Sequence, residues 1–166
     1  VLLFVGRFVM EKNLDNFIKA LGKTKEEFVT VMVGSGELEG QLRELSKGIG
    51  KEIVFAGHYV DDGVRAWYNV ADVFVLPSKQ EAYGAVTNEA LIAGNYSVIS
   101  ESAGSACLIT QDNGCLVNPY DLDGMASAID NAMRMVRHKD TCDVKDNLMP
   151  FLFDDIINKV ITEIKQ

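Results

Sequence analysis

The stretch from Ala71 to Gly94, ADVFVLPSKQEAYGAVTNEALIAG, contains a strand, a loop and a helix in succession. Val73–Leu76 is a continuous apolar run without alternation, which is typical of a strand buried on both faces of a sheet. Pro77 ends the run, and a helical segment then stops at Gly94. This stretch predicts a buried strand whose loop leads directly into a helix.

The same alternation of strand and helix extends over most of the chain. Short apolar runs predict further strands, at Val1–Val5, Phe28–Val33, Ile53–Phe55 and Ser97–Ser100. Helical spacing separates them, with Leu14, Phe17, Ile18 and Leu21 before Gly22, with Leu38, Leu42 and Leu45, and with Ala126, Ile129, Met133 and Val136. The sequence therefore predicts an α/β fold with a parallel sheet covered by helices on both faces.

Size and charge limit the classes of protein that fit. The 166 residues correspond to one domain with a substantial core, and no apolar run is long enough to cross a bilayer. The formal net charge of −8 argues against binding to nucleic acid, and against docking on anionic lipid by this chain alone. Cys107, Cys115 and Cys142 lack the spacing of a zinc site, and we expect Cys107 to be a buried thiol. Because the chain begins in a buried strand without methionine, we expect a piece of a longer protein.

Two cations follow the first predicted strand. Arg7 comes directly after Gly6, and Lys12 lies five residues further, near the start of a helix. Arginine can bind two phosphate oxygens at once and lysine supplies a point charge, so the pair suits a phosphate group. Spacing alone leaves open a second interpretation, in which both are solvated surface cations.

A glycine turn follows the second strand. Gly34-Ser35-Gly36 suggests the fingerprint of a dinucleotide site, but Glu39 occupies the position where that fingerprint needs glycine. We interpret it as a tight turn near a ligand. His58 and Tyr59 follow Gly57 at the end of the next strand, on the same side of the sheet.

Two glutamates flank the loop after Leu76. Glu81 lies on the loop and Glu89 on the following helix, with the backbone of Tyr83–Val86 between them. The spacing does not exclude a close hydrolase pair, but it more easily lets the carboxylates bind separate hydroxyl groups of one ligand, on either side of an anion. A nucleotide sugar has that order of groups. The alternative is one surface glutamate and one glutamate that caps the helix.

Together these motifs resemble the C-terminal half of the retaining GT-B glycosyltransferases of family 4. The resemblance extends from about Val1 to Arg134 and rests on ordered motifs: Gly6-Arg7 with Lys12, Gly34-Ser35-Gly36, Gly57, Ala71–Ser78 and Glu81 through Ala90. It implies one half of a GT-B fold, which is a Rossmann-like parallel sheet with helices on both faces that binds a nucleotide-sugar donor.

The resemblance also implies roles for single residues. Arg7 and Lys12 would hold the donor diphosphate and Glu81 would bind hydroxyls of the donor sugar; these are the expected catalytic residues. Glu89 would bind the ribose. The other expected donor-binding residues line the cleft or offer backbone groups: Gly6, Gly34, Gly36, the base-contacting His58 and Tyr59, and the amides of Tyr83, Gly84, Ala85 and Val86.

The segment from Glu81 to Ile109 more narrowly resembles bacterial members that transfer glucose from UDP-glucose to cholesterol. The same motifs fit a capsular or lipopolysaccharide glycosyltransferase with another donor sugar, a GT-B sugar-nucleotide epimerase, or a non-catalytic nucleotide-sugar-binding subunit. Beyond the UDP-sugar donor, neither a metal nor another cofactor is expected. One departure is Gly94-Asn95-Tyr96, where the family usually has Gly-x-Pro.

The resemblance finally implies a division into domains. Residues 1–147 would form the donor-binding domain, and residues 148–166 a helix crossing toward an N-terminal acceptor domain that lies outside this chain. The chain alone would then be inactive. The full-length protein would be cytoplasmic, with peripheral contact to the inner face of the cell membrane through the missing half.

Overall fold

The computed structural model of the chain describes residues 1–136, 145–151 and 162. It contains one parallel sheet of six strands in the order β3-β2-β1-β4-β5-β6. This is the strand order of a Rossmann fold, so the predicted fold class is confirmed. The strands are β1 Leu2–Val5, β2 Thr30–Val33, β3 Ile53–Gly57, β4 Val73–Leu76, β5 Tyr96–Ser100 and β6 Gly114–Val117.

Helices cover both faces of the sheet. They are α1 Leu14–Leu21, α2 Glu39–Lys47, α3 Asp62–Val70, α4 Val86–Ile92 and α5 Leu122–Val136, with short 3-10 turns at Met10–Lys12 and Gly104–Leu108. Helix α1 packs against α2 and α5, whereas α3 packs against α4. The two groups form the two outer layers, as the alternation of elements predicts.

Apolar spacing explains the central elements. In α1, the predicted stripe of Leu14, Phe17, Ile18 and Leu21 is buried, and the helix ends before Gly22. Strands β1, β2 and β4 are buried along their whole length, because they occupy the middle of the sheet and have helices on both sides.

The edges of the sheet differ from the prediction. Strand β3 is half-exposed, with Val54 39% exposed, so the expectation of burial on both faces is wrong there. Strand β6, at the opposite edge, was not predicted at all, and its Leu116 is 48% exposed. An edge strand needs fewer apolar residues than a central one, so it leaves a weaker signal in the sequence.

Buried polar side chains join the layers. Asp130 of α5 accepts hydrogen bonds from the backbone amides of Lys25 and Glu26 at 2.9–3.1 Å. Asn95 donates from Nδ2 to the carbonyls of Tyr68 and Ala71 at 2.9 and 2.7 Å, and so caps the end of α3. The bonds of Asn95 satisfy carbonyls that the end of α3 would leave unpaired, and those of Asp130 satisfy amides of the loop between α1 and β2.

The chain beyond α5 is described in part. Leu148 donates its amide to Leu91 of α4 at 2.8 Å, and Asn113 Nδ2 donates to the carbonyl of Leu148 at 3.1 Å. The predicted helix 148–166 lies largely outside the described residues, so the predicted division at residue 147 stays a prediction. Among the described residues, no helix has the length and apolar character of a membrane span.

Candidate functional site

The site lies between β1 and β4, where the chain stops adding strands on one side of β1 and begins adding them on the other. Strands β1 and β4 are neighbours, but their following loops lead to α1 on one face and to α4 on the other. Such a switch point opens a crevice at the carboxyl ends of the two strands, which is where open α/β sheets bind ligands. The loops that follow β1 and β4 carry Arg7 and Lys12 on one side, and Glu81 through Ala85 on the other.

An ion pair joins the two loops across this crevice. Lys12 Nζ donates to Glu81 Oε2, although 69 residues separate them in the sequence. Both side chains are largely withdrawn from solvent, with 16% and 17% of their surfaces exposed. Water therefore screens the pair less than a surface salt bridge. The structure thus brings together a cation and a carboxylate that the sequence assigned to different groups of one ligand.

Arg7 differs from Lys12 in its surroundings. Its side chain is exposed, and it forms no ion pair or hydrogen bond within residues 1–136 and 145–151. Five guanidinium donors are therefore available to an incoming anion beside the crevice.

The loop after β4 offers unused backbone donors. The amides of Tyr83, Gly84 and Ala85 donate no hydrogen bond to any of the residues that the structure describes. Gly84 has φ +92°, and a Cβ there would lie 2.9 Å from Leu76 Cδ2, so only glycine fits this turn. Val86 is half-buried and begins α4.

The loop after β5 supports this turn from behind. Gly104 donates its amide to the carbonyl of Glu81 at 3.0 Å, and Ser105 donates to that of Tyr83 at 2.6 Å. The Ser105 and Thr87 hydroxyls form a buried hydrogen bond of 2.9 Å. The sequence motifs did not predict a role for Ser105 or Thr87. The cluster of small residues after β5 was the available signal, because it permits one loop to approach another closely.

Glu89 occupies the exposed side of α4. Its carboxylate lies close to Tyr68 of α3. The pKa of the Tyr68 phenol is raised, mainly because the phenol is buried and also because of the charge of Glu89. Because Glu89 as a whole is exposed, its carboxylate can also be reached from solvent. The assignment of Glu89 to ribose hydroxyls stays a prediction.

The two glycines of the turn after β2 have a structural cause. A Cβ on Gly34 would overlap the carbonyl oxygen of Gly6 and lie 2.9 Å from its carbonyl carbon. A Cβ on Gly36 would lie 2.7 Å from the backbone nitrogen and carbonyl carbon of Phe8. The need for glycine therefore comes from the loop after β1, which packs against this turn, and not from a nearby ligand as the sequence pattern suggests.

His58 and Tyr59 are further from the switch point. They follow β3, which β2 separates from β1, and strand spacing of ~4.8 Å puts β3 roughly 10 Å from β1. Both are exposed, and the Tyr59 ring packs edge-on against Trp67 with 5.9 Å between centroids. Their predicted contact with a base is untested.

Cys107 also departs from expectation. Its side chain is exposed, so the predicted burial is wrong; the thiol donates to the carbonyl of Gly104 at 3.4 Å. The position lies in a 3-10 turn on the surface of the loop after β5, and Leu108 next to it is buried instead. Within the described part of the chain, no three His, Cys, Asp or Glu side chains form a group suited to a metal.

The strand order and the loops at the switch point define the class as a Rossmann-like α/β domain of the kind that builds GT-B glycosyltransferases. A family model for glycosyl transferases group 1 matches residues 1–135. The chain therefore belongs to the glycosyl transferases group 1 family.

Curated relatives agree with this family. An uncharacterised glycosyltransferase of Methanocaldococcus jannaschii is 33% identical over 138 residues, which cover 80% of this chain and 35% of the relative. Sulfoquinovosyl transferase of Arabidopsis thaliana is 31% identical over 127 residues, which cover 74% of this chain and 24% of the relative. The chain thus spans between 24% and 35% of the length of these two proteins.

Solved structures share the fold. The catalytic domain of cholesterol-alpha-glucosyltransferase from Helicobacter pylori has a TM-score of 0.71 and 21% identity, covering 80% of this chain and 85% of that one. The Anabaena protein HepE, solved in complex with UDP and glucose, has a TM-score of 0.75 and 21% identity, covering 99% of this chain and 47% of that one. At such identities the likeness concerns the fold alone.

Proposed function

We propose that this chain is the donor-binding domain of a retaining GT-B glycosyltransferase of family 4, and that it binds a UDP-hexose at the switch point between β1 and β4. The observation that carries the proposal is the ion pair of Lys12 and Glu81 across the crevice. A nucleotide sugar needs positive charge for its diphosphate and hydrogen-bond acceptors for its sugar hydroxyls, and this pair places both at one point.

The diphosphate would bind to the cations and to the loop after β4. Arg7 is free to form a bidentate contact with phosphate oxygens, while Lys12 has three ammonium hydrogens and can keep Glu81 while it donates to phosphate. The free amides of Tyr83, Gly84 and Ala85 add neutral donors to the same anion.

The sugar and nucleoside would bind on either side of the diphosphate. Glu81 would accept hydrogen bonds from hydroxyls of the donor hexose, and the exposed carboxylate of Glu89 would accept them from the ribose. We assign the base to the loop of His58 and Tyr59, where an exposed ring is available for stacking.

During the transfer reaction, negative charge develops on the departing diphosphate. The bond between the anomeric carbon and the β-phosphate oxygen breaks, and the acceptor oxygen bonds to the same face of the sugar. The acceptor proton passes to the departing phosphate oxygen, so that UDP leaves with its negative charge held by Arg7 and Lys12. These two cations supply the electrophilic stabilisation, and the mechanism we propose uses no metal ion.

The proposals for the donor sugar and the acceptor come from the structural neighbours. The structural neighbour HepE was solved with UDP and glucose, and the Helicobacter pylori neighbour is by its name a cholesterol glucosyltransferase. We therefore propose UDP-glucose as the first donor to test and a lipid or glycan as the acceptor, with cholesterol as one candidate. Sulfoquinovosyl transferase among the relatives indicates that the family handles more than one sugar.

We also propose that the acceptor is bound by an N-terminal domain of the same protein. This chain spans at most 35% of the length of the two relatives compared above, which leaves room for a second domain in proteins of that kind. The helix 148–166 would cross to that domain. The full-length protein would be cytoplasmic, and its N-terminal domain would contact the inner face of the membrane. Incubating the chain with UDP-glucose and an acceptor should then give no transfer, and turnover by the chain alone would contradict this arrangement.

The test of the donor site is calorimetric titration of the 166-residue chain with UDP and UDP-glucose. We expect saturable heat with both ligands for the unmodified chain. In Arg7→Ala and in Glu89→Ala, we expect the affinity for UDP to fall about tenfold or more. Lys23→Ala is the matched control, because Lys23 pairs with Asp123 on the exposed surface at 2.8 Å. Absence of heat in the unmodified chain would refute the proposed site.

A further inference from the structure

Asn13 has an unusual position beside the proposed diphosphate site. It is fully buried and adopts the left-handed backbone conformation, with φ 57° and ψ 32°, between the 3-10 turn of Met10–Lys12 and α1. Burying a polar amide costs free energy unless it is hydrogen-bonded, and glycine would adopt the same backbone without that cost. The presence of asparagine next to Lys12 therefore needs a reason.

The side-chain amide of Asn13 connects three loops. Nδ2 donates to the carbonyl of Pro77 at 3.0 Å and to the carbonyl of Pro119 at 2.7 Å. Pro77 begins the loop after β4, and Pro119 lies in the loop after β6. Both amide hydrogens are thus used to hold the carboxyl-end loops of two other strands against the loop after β1.

The connection holds the backbone near both ends of the ion pair. Lys12 directly precedes Asn13, and Pro77 is the start of the loop that carries Glu81. A backbone bond from Lys79 to the carbonyl of Glu11, at 2.9 Å, runs between the same two loops. The lysine side chain is long and has many rotamers, so its position depends on how firmly its backbone is held.

We propose that Asn13 is a positioning residue: its amide holds the loops after β1, β4 and β6 together so that Lys12 remains at the switch point, ready to bind a diphosphate. The inference rests on the proposed function, since it concerns the same site. Asn13 would then raise the affinity for the ligand indirectly, by keeping Lys12 in position.

A double-mutant cycle separates this role from a purely structural one. UDP is titrated against the unmodified chain, Lys12→Ala, Asn13→Gly and the double variant. Glycine tolerates the left-handed backbone, so Asn13→Gly removes the side chain without straining the backbone. We expect it to weaken UDP binding about tenfold, and to have no further effect once Lys12 is alanine.

Asn95→Ala is the matched control. Asn95 is equally buried and also donates to two carbonyls, at 2.9 and 2.7 Å, but at the end of α3. We expect it to lower the melting temperature while UDP affinity stays within about twofold of the unmodified chain.

The outcomes distinguish the two proposals. If the unmodified chain does not bind UDP, the proposed function fails and this inference fails with it. If the chain binds UDP but Asn13→Gly binds equally well, or if its effect adds in full to that of Lys12→Ala, only the positioning role is overturned. Should Asn13→Gly melt below the titration temperature, the same cycle is carried out with Asn13→Ser, which keeps a small uncharged polar side chain but has one hydrogen to donate where the amide has two.

Discussion

Lys12 and Glu81 form an ion pair between the loops after β1 and β4, and this pair spans the switch point of the sheet. Without ligand, the carboxylate neutralises the charge of the lysine. A diphosphate bound beside them therefore gains from Lys12 and is repelled by Glu81, while the sugar beyond it gains from Glu81. The two halves of a nucleotide sugar should respond in opposite ways when this carboxylate loses its charge.

Glu81→Gln is the variant that tests this opposition. We expect UDP alone to bind as tightly as in the unmodified chain or more tightly, because Lys12 loses its competing partner. We expect UDP-glucose to lose about tenfold in affinity relative to UDP, because an amide is a weaker acceptor for sugar hydroxyls than a carboxylate. Calorimetric titration with both ligands measures the ratio.

Glu39→Gln is the control for that experiment, since Glu39 pairs with Arg43 along the surface of α2 at 2.8 Å. Its ratio of UDP to UDP-glucose affinity should be unchanged. An equal loss of both ligands in Glu81→Gln would contradict the assignment of Glu81 to the sugar.

Gly34→Ala should destabilise the fold strongly. Gly34 has φ +141°, and a Cβ would overlap the backbone of Gly6 in the adjacent loop. We expect a loss of at least about 2 kcal/mol in the free energy of unfolding, measured by urea denaturation. Gly40→Ala is the matched control: no atom lies within 4 Å of its added Cβ, and it belongs to α2, so we expect a gain of about 0.5–1 kcal/mol. Equal stabilities of the two variants would show that the loops do not pack as described.

Thr87→Val should show how much the hydrogen bond between Thr87 and Ser105 contributes to stability at the turn before α4. Valine keeps the shape of threonine but leaves the buried Ser105 hydroxyl without its 2.9 Å partner. We expect a loss of about 1–2 kcal/mol in the free energy of unfolding, and a smaller additional loss when Ser105→Ala is added than Ser105→Ala causes alone. Strict additivity in this double-mutant cycle would contradict the bond.

Alkaline pH should destabilise the fold through Tyr68. Burial, and then the Glu89 carboxylate, raise the pKa of the phenol above its ordinary value of 10.0. The unfolded chain therefore releases the proton first. The stabilising contribution is complete below pH 10 and is lost as the pH rises from there toward the higher pKa of the folded state. We expect the free energy of unfolding to fall by about 1.4 kcal/mol per pH unit in that window from this residue.

Tyr68→Phe should remove that part of the slope in urea denaturation carried out at several alkaline pH values. Tyr120→Phe serves as the control, because Tyr120 is 66% exposed, and it should keep the slope of the unmodified chain. Identical slopes for the unmodified chain and Tyr68→Phe would contradict the prediction.

The centre of the fold, and the placement of Lys12 and Glu81 at the same edge of the sheet, could be predicted from the sequence, whereas their ion pair could not. Unbroken apolar runs such as Val73–Leu76 indicate central strands, and the carboxyl ends of parallel strands share one edge of the sheet. The edge strand with Leu116 could not be predicted in this way, because a half-exposed strand needs no apolar run.

The side-chain contacts that support the site could not be predicted from the sequence, for a different reason. The bonds of Asn13 to Pro77 and Pro119 depend on the paths of three loops in space, and no spacing along the chain encodes which carbonyl a side chain reaches. The same holds for Thr87 and Ser105. Gly34 could be predicted as a tight turn, but only the position of the neighbouring loop explains why a side chain is excluded there.

A crystal structure of the 166-residue chain with UDP-glucose would show whether the donor binds at the switch point between β1 and β4. We expect the diphosphate between β1 and β4, with phosphate oxygens at about 2.7–2.9 Å from Lys12 Nζ and from the Arg7 guanidinium, and a sugar hydroxyl on Glu81. Nucleotide bound at another edge of the sheet, with Lys12 and Glu81 still paired only to each other, would contradict it.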